Sequence, residues 1–272
     1  MRTVLPALLI AAALSAAEPS PRLLEWERGV ALRQQGRADL TMFLWFYEWN
    51  LFEAMSPGQH TPGSFKTKRE IGPSHATITY PGLHLSVEAV ADGARLVLKV
   101  TNVSSHDWPE IAAIIPCWNP GKVDGTPSPV RQPLNVNFAD GDRDRSYFHS
   151  ASGLTLLDSR AIHFNSRWRT VLDKIEAGSG FVFSSKWPTS EVNANRGLLV
   201  RESADRTWVT GIGWEDYLSV QGHNPWSCLH ASIRVGPLKR GESKTIRGRL
   251  FLFQGNRQNA LERFDKEFPG RR

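Results

Sequence analysis

Residues 75–101 constrain the fold most. His75–Tyr80, Leu83–Val90 and Ala94–Thr101 are short runs in which apolar and polar residues largely alternate. Pro81-Gly82 and Asp92-Gly93 separate them. A period of two puts the apolar residues on one face of a strand, and both dipeptides favour tight turns. This stretch therefore predicts consecutive antiparallel strands with one buried face.

The rhythm returns at Gly180–Ser184, Leu198–Glu202, Thr207–Trp214, Leu229–Val235 and Thr245–Phe253, with a turn over Leu238–Glu242. Thr41–Phe52 is so dense in aromatics that both faces of a strand there need cover. Two segments read as helix. Leu23, Leu24, Trp26, Val30 and Ala31 fall at rough helical spacing, with Ser20-Pro21 at the start and Gly36 at the end. Asn256 is placed to cap a helix over 257–268, with Leu261, Phe264 and Phe268 on one face. The expectation is an all-β fold, a large antiparallel β-sandwich with a short N-terminal helix and a C-terminal helix. The 272 residues are 40% hydrophobic and 22% charged, enough for a full core and unlike a disordered chain.

Residues 1–17 read as a secretory signal peptide. Arg2 is the positive region, Val4–Leu14 the apolar run, and Ser15-Ala16-Ala17 the small residues before cleavage. The run is short for a membrane span, which needs about 20 apolar residues. No second long apolar stretch follows, so no integral membrane segment is expected after cleavage. Residues 18–40 are expected to form a helical extension and 41–272 a single β-sandwich domain. The expected location is secreted or periplasmic. Export makes a Cys117–Cys228 disulfide permissible. Two separate buried thiols fit the sequence equally well.

Residues 96–119 hold a strand ending in Thr101-Asn102, a polar turn with Ser104-Ser105, Pro109, and a second strand over Ile111–Trp118. This segment resembles the galactose-mutarotase-like family, as does Pro237–Glu242 followed by a strand. The resemblance implies an antiparallel β-supersandwich that handles sugars. The enzymes of that family carry a His-Pro-Tyr-like sequence where this chain has Pro116-Cys117-Trp118-Asn119. The imidazole that would protonate a ring oxygen is absent there, and the family's catalytic Glu has no match. The whole chain also resembles secreted proteins of environmental bacteria.

Three constellations are candidates for chemistry. His223-Asn-Pro-Trp-Ser-Cys-Leu-His230 places Cys228 and His230 on one side of a strand. Two His and a thiolate suit zinc or copper, but the spacing matches no defined metal module, so no metal and no cofactor are expected. Asp140, Asp142 and Asp144 open like a calcium loop, yet Arg145 and Ala151 stand where that loop needs Gly and Glu. Arg143 and Arg145 suit an acidic sugar or a solvated loop. The ten Trp residues are divided between core and binding faces, with Trp118, Asn119 and Trp226 near Pro-containing turns. The Pro-rich stretch 116–133 reads as a long functional loop. A catalytic set would come from His149, His223, His230, Asp142 and Glu215. No Gly-x-Ser-x-Gly elbow and no phosphate loop occur.

The formal net charge is +6, but residues 231–272 hold 11 Lys/Arg against 4 Asp/Glu, a net of +7. The basic excess is thus confined to the last segment, which argues against a nucleic-acid partner. The expected partner is an oligo- or polysaccharide. Recognition, a carbohydrate-active enzyme, and a structural or interaction protein of the cell envelope remain the alternatives.

Overall fold

The computed structural model describes residues 20–26, 28–51, 67–121, 137–171, 188–223 and 227–270, with the backbone alone at 48–51. The proposed signal peptide, the Gly180–Ser184 strand, Trp226 and most of the Pro-rich loop lie outside these residues.

Two antiparallel sheets face each other. The first contains β1 (Arg22–Trp26), β2 (Gly29–Arg33), β3 (Thr41–Leu51), β8 (Ala113–Asn119), β15 (Leu229–Arg234), β14 (Tyr217–Gly222) and β11 (His163–Phe164), in that spatial order. The second contains β10 (Gly153–Leu156), β9 (Ser146–Ser150), β12 (Leu198–Glu202), β13 (Trp208–Trp214), β16 (Ser243–Gln254), β7 (Gly93–Thr101), β6 (Leu83–Val90), β5 (His75–Tyr80) and β4 (Lys68–Ile71). The fold is an all-β sandwich, as the alternation predicts.

The core forms where inward faces meet. From the nine-stranded sheet come Ile78, Leu85, Val87, Leu96, Leu98, Val100 and Leu250. From the seven-stranded sheet come Leu32, Met42, Leu44, Ile114, Trp118, Leu229 and Ile233. Burying each such side chain stabilises the fold by about 1.5–3 kcal/mol before chain entropy is counted. In β3 the register against β8 shifts between Trp45 and Trp49, and Phe46 and Tyr47 both join the core. Phe43 and Trp45 face outward, so the aromatic run does cover both faces.

The expected N-terminal helix is instead the β1–β2 hairpin, with Trp26 opposite Gly29. Its two faces explain the misreading. Leu23, Val30 and Leu32 enter the central core, while Leu24, Trp26 and Ala31 pack on the outer side. Apolar residues on both faces of a hairpin mimic helical spacing. Gly29 was the available signal: a Cβ there would lie 2.0 Å from the Leu44 carbonyl oxygen.

The C-terminal helix, Arg257–Glu267, forms as expected. The Asn256 side chain accepts from the backbone N–H groups of Gln258 and Asn259, and the Asn259 side chain accepts in return from the Asn256 N–H. Ala260, Leu261, Phe264 and Phe268 pack on the outer face of the nine-stranded sheet, against Leu198, Val200, Val209 and Phe251. Gly213 admits the Phe264 ring, which a Cβ would meet at 2.5 Å. Among the described residues, no helix is long and apolar enough to cross a membrane.

Candidate functional site

Two polar constellations arise on this frame. The first lies within the sandwich. In β12, Leu198 and Val200 face the C-terminal helix, so Leu199 and Arg201 face inward. Arg201 is 0% exposed. Its Nε donates to Ser146 Oγ (2.7 Å), and its Nη1 donates to the carbonyls of Phe138 (3.0 Å) and Ser227 (2.5 Å). Asp140 is its counter-charge, with Oδ2 3.8 Å from Arg201 Nε. Asp140 also accepts from Ser146 Oγ at 2.5 Å and from the backbone N–H groups of Asp144 and Arg145.

These contacts set the titration of the cluster. Burial alone would raise the Asp140 carboxyl, but the Ser146 hydroxyl and the Arg201 charge outweigh it and hold it below its ordinary range. Burial brings Arg201 down to about 10. His223, buried beside them, is pushed down to about 4, first by burial and then by the Arg201 charge. Its Nε2–H donates to the Leu157 carbonyl, so at neutral pH the ring is uncharged and Nδ1 carries the lone pair. That Nδ1 and Arg201 Nη2 are buried without a hydrogen-bond partner among the described residues. His223 and Ser227 both take left-handed backbone conformations, φ 60° and 52°, at the ends of the β14–β15 connection.

The second constellation lies on the outer face of the seven-stranded sheet. Trp26 and Phe43 meet edge-on, 5.4 Å between ring centroids. Half-buried Trp45 has the Arg28 guanidinium over its ring at 4.6 Å. Beside this patch Cys117 and Cys228 form a disulfide, with Cα atoms 5.8 Å apart. This resolves the alternative that the sequence left open. His230 lies with the two sulfurs, all three donor atoms within 4.8 Å of one another.

The sequence-proposed catalytic residues do not converge. His149 faces the C-terminal helix on the outside of the nine-stranded sheet, where burial and then the Arg196 charge lower its pKa. His223 belongs to the interior cluster and His230 to the opposite outer face. Asp142 is exposed. Glu215 accepts from the Arg247 backbone N–H at 2.7 Å and from its guanidinium at 2.7 Å.

The proposed binding residues are also dispersed. Trp118 is a core residue, 0% exposed, whose indole N–H donates to Thr210 Oγ1. The ring was expected on a binding face because Trp118 lies near Pro-containing turns, but β8 turns it into the central core. Asn119 is a clamp: its Nδ2 donates to the Phe43 carbonyl and to Cys117 Sγ, and its Oδ1 accepts from Gly121 N–H. Arg145 donates to the carbonyls of Asn137, Glu202 and Ala139. Arg143 is half-exposed and reaches the Asp158 carbonyl at 3.5 Å. Sequence reasoning missed Arg201. The signal was a lone cation in the otherwise apolar start of the strand Leu198–Glu202.

No protein-family model matches this chain, and no curated protein matches it. Solved structures give three likenesses. A galactose mutarotase-like protein from Lactobacillus casei ATCC 334 is 12% identical, with a TM-score of 0.37 over 70% of this chain and 73% of that one. A putative aldose 1-epimerase from Escherichia coli K12 is 12% identical, with a TM-score of 0.30 over 70% and 64%. A galactose mutarotase-like protein from Clostridium acetobutylicum is 10% identical, with a TM-score of 0.31 over 86% and 67%. The architecture described above rests on this chain's own strands.

Proposed function

We propose that the protein is exported and recognises glycans on the outer face of its seven-stranded sheet. The observation that carries this reading is the aromatic patch there. Trp45 is half-exposed with Arg28 over its ring, and Trp26 and Phe43 adjoin it. Aromatic faces suit the apolar faces of pyranose rings, and an adjoining cation adds hydroxyl or carboxylate recognition. Export rests on the signal-peptide pattern of residues 1–17. The resemblance of residues 96–119 to sugar-handling proteins is a second support. Recognition rather than turnover is favoured by the engagement of Asp140 and Glu215 with arginines and by the dispersal of the three histidines.

The test is a glycan array followed by calorimetric titration of wild type, Trp45→Ala and Arg28→Ala. We expect binding of an oligo- or polysaccharide, weakened about tenfold or more by Trp45→Ala, equivalent to about 1.4 kcal/mol. Failure of the folded protein to bind any glycan overturns the reading. One observation favours a second reading, an interaction protein of the cell envelope. Trp108, Trp118, Trp208 and Trp214 are all at most 7% exposed and belong to the central core. A negative array with a folded protein selects it.

A further inference from the structure

We propose that Cys117, Cys228 and His230 form a redox-gated site for Cu(I), closed while the cysteines are joined and opened by reduction. The proposal is independent of glycan recognition.

Its geometry follows from the register of two neighbouring strands. In the β8–β15 pair Leu229 stands opposite Trp118. One step along, Cys117 and His230 come opposite each other, and Cys228 lies two residues before His230. All three therefore share one face. It is the outer face, because Trp118, Leu229 and Ala231 occupy the core side. The donor atoms lie within 4.8 Å of one another, and the residues are 2%, 1% and 8% exposed. A metal bound to two sulfurs and an imidazole, with bonds of about 2.0–2.3 Å, needs donors spaced in this range.

The donor set selects the cation. Thiolates and imidazole are soft or borderline ligands that favour Cu(I) and Zn(II) over hard ions. Structural zinc takes four ligands, whereas this cluster offers three among the described residues. Three donors with two sulfurs suit Cu(I). Asn119 supports the sulfur, donating from Nδ2 to Cys117 Sγ at 3.4 Å. A hydrogen bond to a ligand atom holds its orientation and stabilises its anionic form.

The chemistry balances with an external dithiol as reductant. The dithiol gives up two electrons and two protons and becomes a disulfide. The Cys117–Cys228 S–S bond breaks, and each sulfur gains one electron and one proton. Cu(I) then displaces the thiol protons to solvent and takes the imidazole lone pair.

The test uses the whole folded chain, reduced anaerobically and checked for native circular dichroism. Cu(I) is supplied against a competing Cu(I) chelator, with Zn(II) in parallel. We expect stoichiometric Cu(I) in the reduced protein, none in the oxidised protein, and weaker Zn(II) binding. His230→Ala should weaken Cu(I) binding by about 10–100-fold, the scale on which even outer partners of a metal site act. Cys117→Ser should abolish it. Any of four results overturns the proposal: no Cu(I) in the reduced folded protein, equal binding when oxidised, unchanged affinity in His230→Ala, or loss of the native fold on reduction.

Discussion

Asp140→Ala tests whether the Arg201 charge is held inside the sandwich by one carboxylate. Both side chains are 0% exposed and lie 3.8 Å apart. Removing the carboxylate leaves Arg201 with its three neutral acceptors and no adjacent anion. It also strips Ser146 Oγ–H and the backbone N–H groups of Asp144 and Arg145 of an acceptor. Each orphaned buried donor costs about 1–3 kcal/mol, and breaking one side of a buried ion pair costs about 3–5 kcal/mol in all. Against a typical total of about 5–15 kcal/mol, that is a large share of stability. The assay is urea denaturation followed by tryptophan fluorescence and circular dichroism, with Asp140→Asn as the shape-preserving control. Asn keeps acceptor capacity but not charge, so it should recover less than half of the loss. The double variant Asp140→Leu with Arg201→Met should recover at least about 2 kcal/mol over Asp140→Ala, because no buried charge remains. A loss below about 1 kcal/mol in Asp140→Ala, or no coupling between the two sites, refutes the reasoning.

Three further outcomes follow from the same structure. His223 titrates near its ordinary value in the unfolded chain but at about 4 in the fold, so unfolding takes up a proton first as pH falls; stability is then lost between about pH 6.5 and 4, by up to about 3 kcal/mol. Urea titrations of wild type and His223→Gln at several pH values check this, and an unchanged pH slope in the variant counts against it. Asn102 is 0% exposed and donates to the His106 and Leu238 carbonyls while accepting from Ser104, so Asn102→Ala should cost about 2–4 kcal/mol in thermal melts, and a neutral result would deny that it pins this turn to residue 238. The Cys117–Cys228 bond spans a sequence separation of 111, so Cys117→Ser with Cys228→Ser should cost about 4–5 kcal/mol in the chain-entropy model, read as a lower Tm, and an unchanged Tm would contradict it.

How much of this was legible depended on whether one face or two were buried. β5, β6 and β7 alternate because their outer face meets solvent, and the sequence shows the period directly. β1 and β2 carry apolar residues on both sides, so the period disappears and a helix was the wrong answer. β14 was missed for a related reason: a bulge between Tyr217 and Ser219 turns Leu218 to the outer face beside Phe164. Pairs brought together from afar were not legible at all. Nothing local in the sequence says that Asp140, Ser146 and Arg201 meet, because the meeting is made by β9 pairing with β12. The disulfide is the same case, resting on β8 lying beside β15.

The charge asymmetry of the chain acquires a reason in the same long-range pairing. The basic last segment is not set apart in space as it is in sequence. Arg234 and Lys244 both reach Asp216, at 2.8 and 2.7 Å. Arg247 pairs with Glu215, Arg257 with Glu202, and Arg263 with Asp92. Arg249 sits between Asp92 and Glu267. The acids on β12, at the β6–β7 turn and between β13 and β14 thus receive the cations of β15, β16 and the helix that follows. Most of these pairs are half-exposed and each contributes at most about 1 kcal/mol. Their placement matters more than their strength. β16 has to insert between β7 and β13, and a register slip of one residue would turn Arg247 and Arg249 from the helix-bearing face into the core. Arg247 and Arg249 thus favour the observed register of the strand that completes the larger sheet.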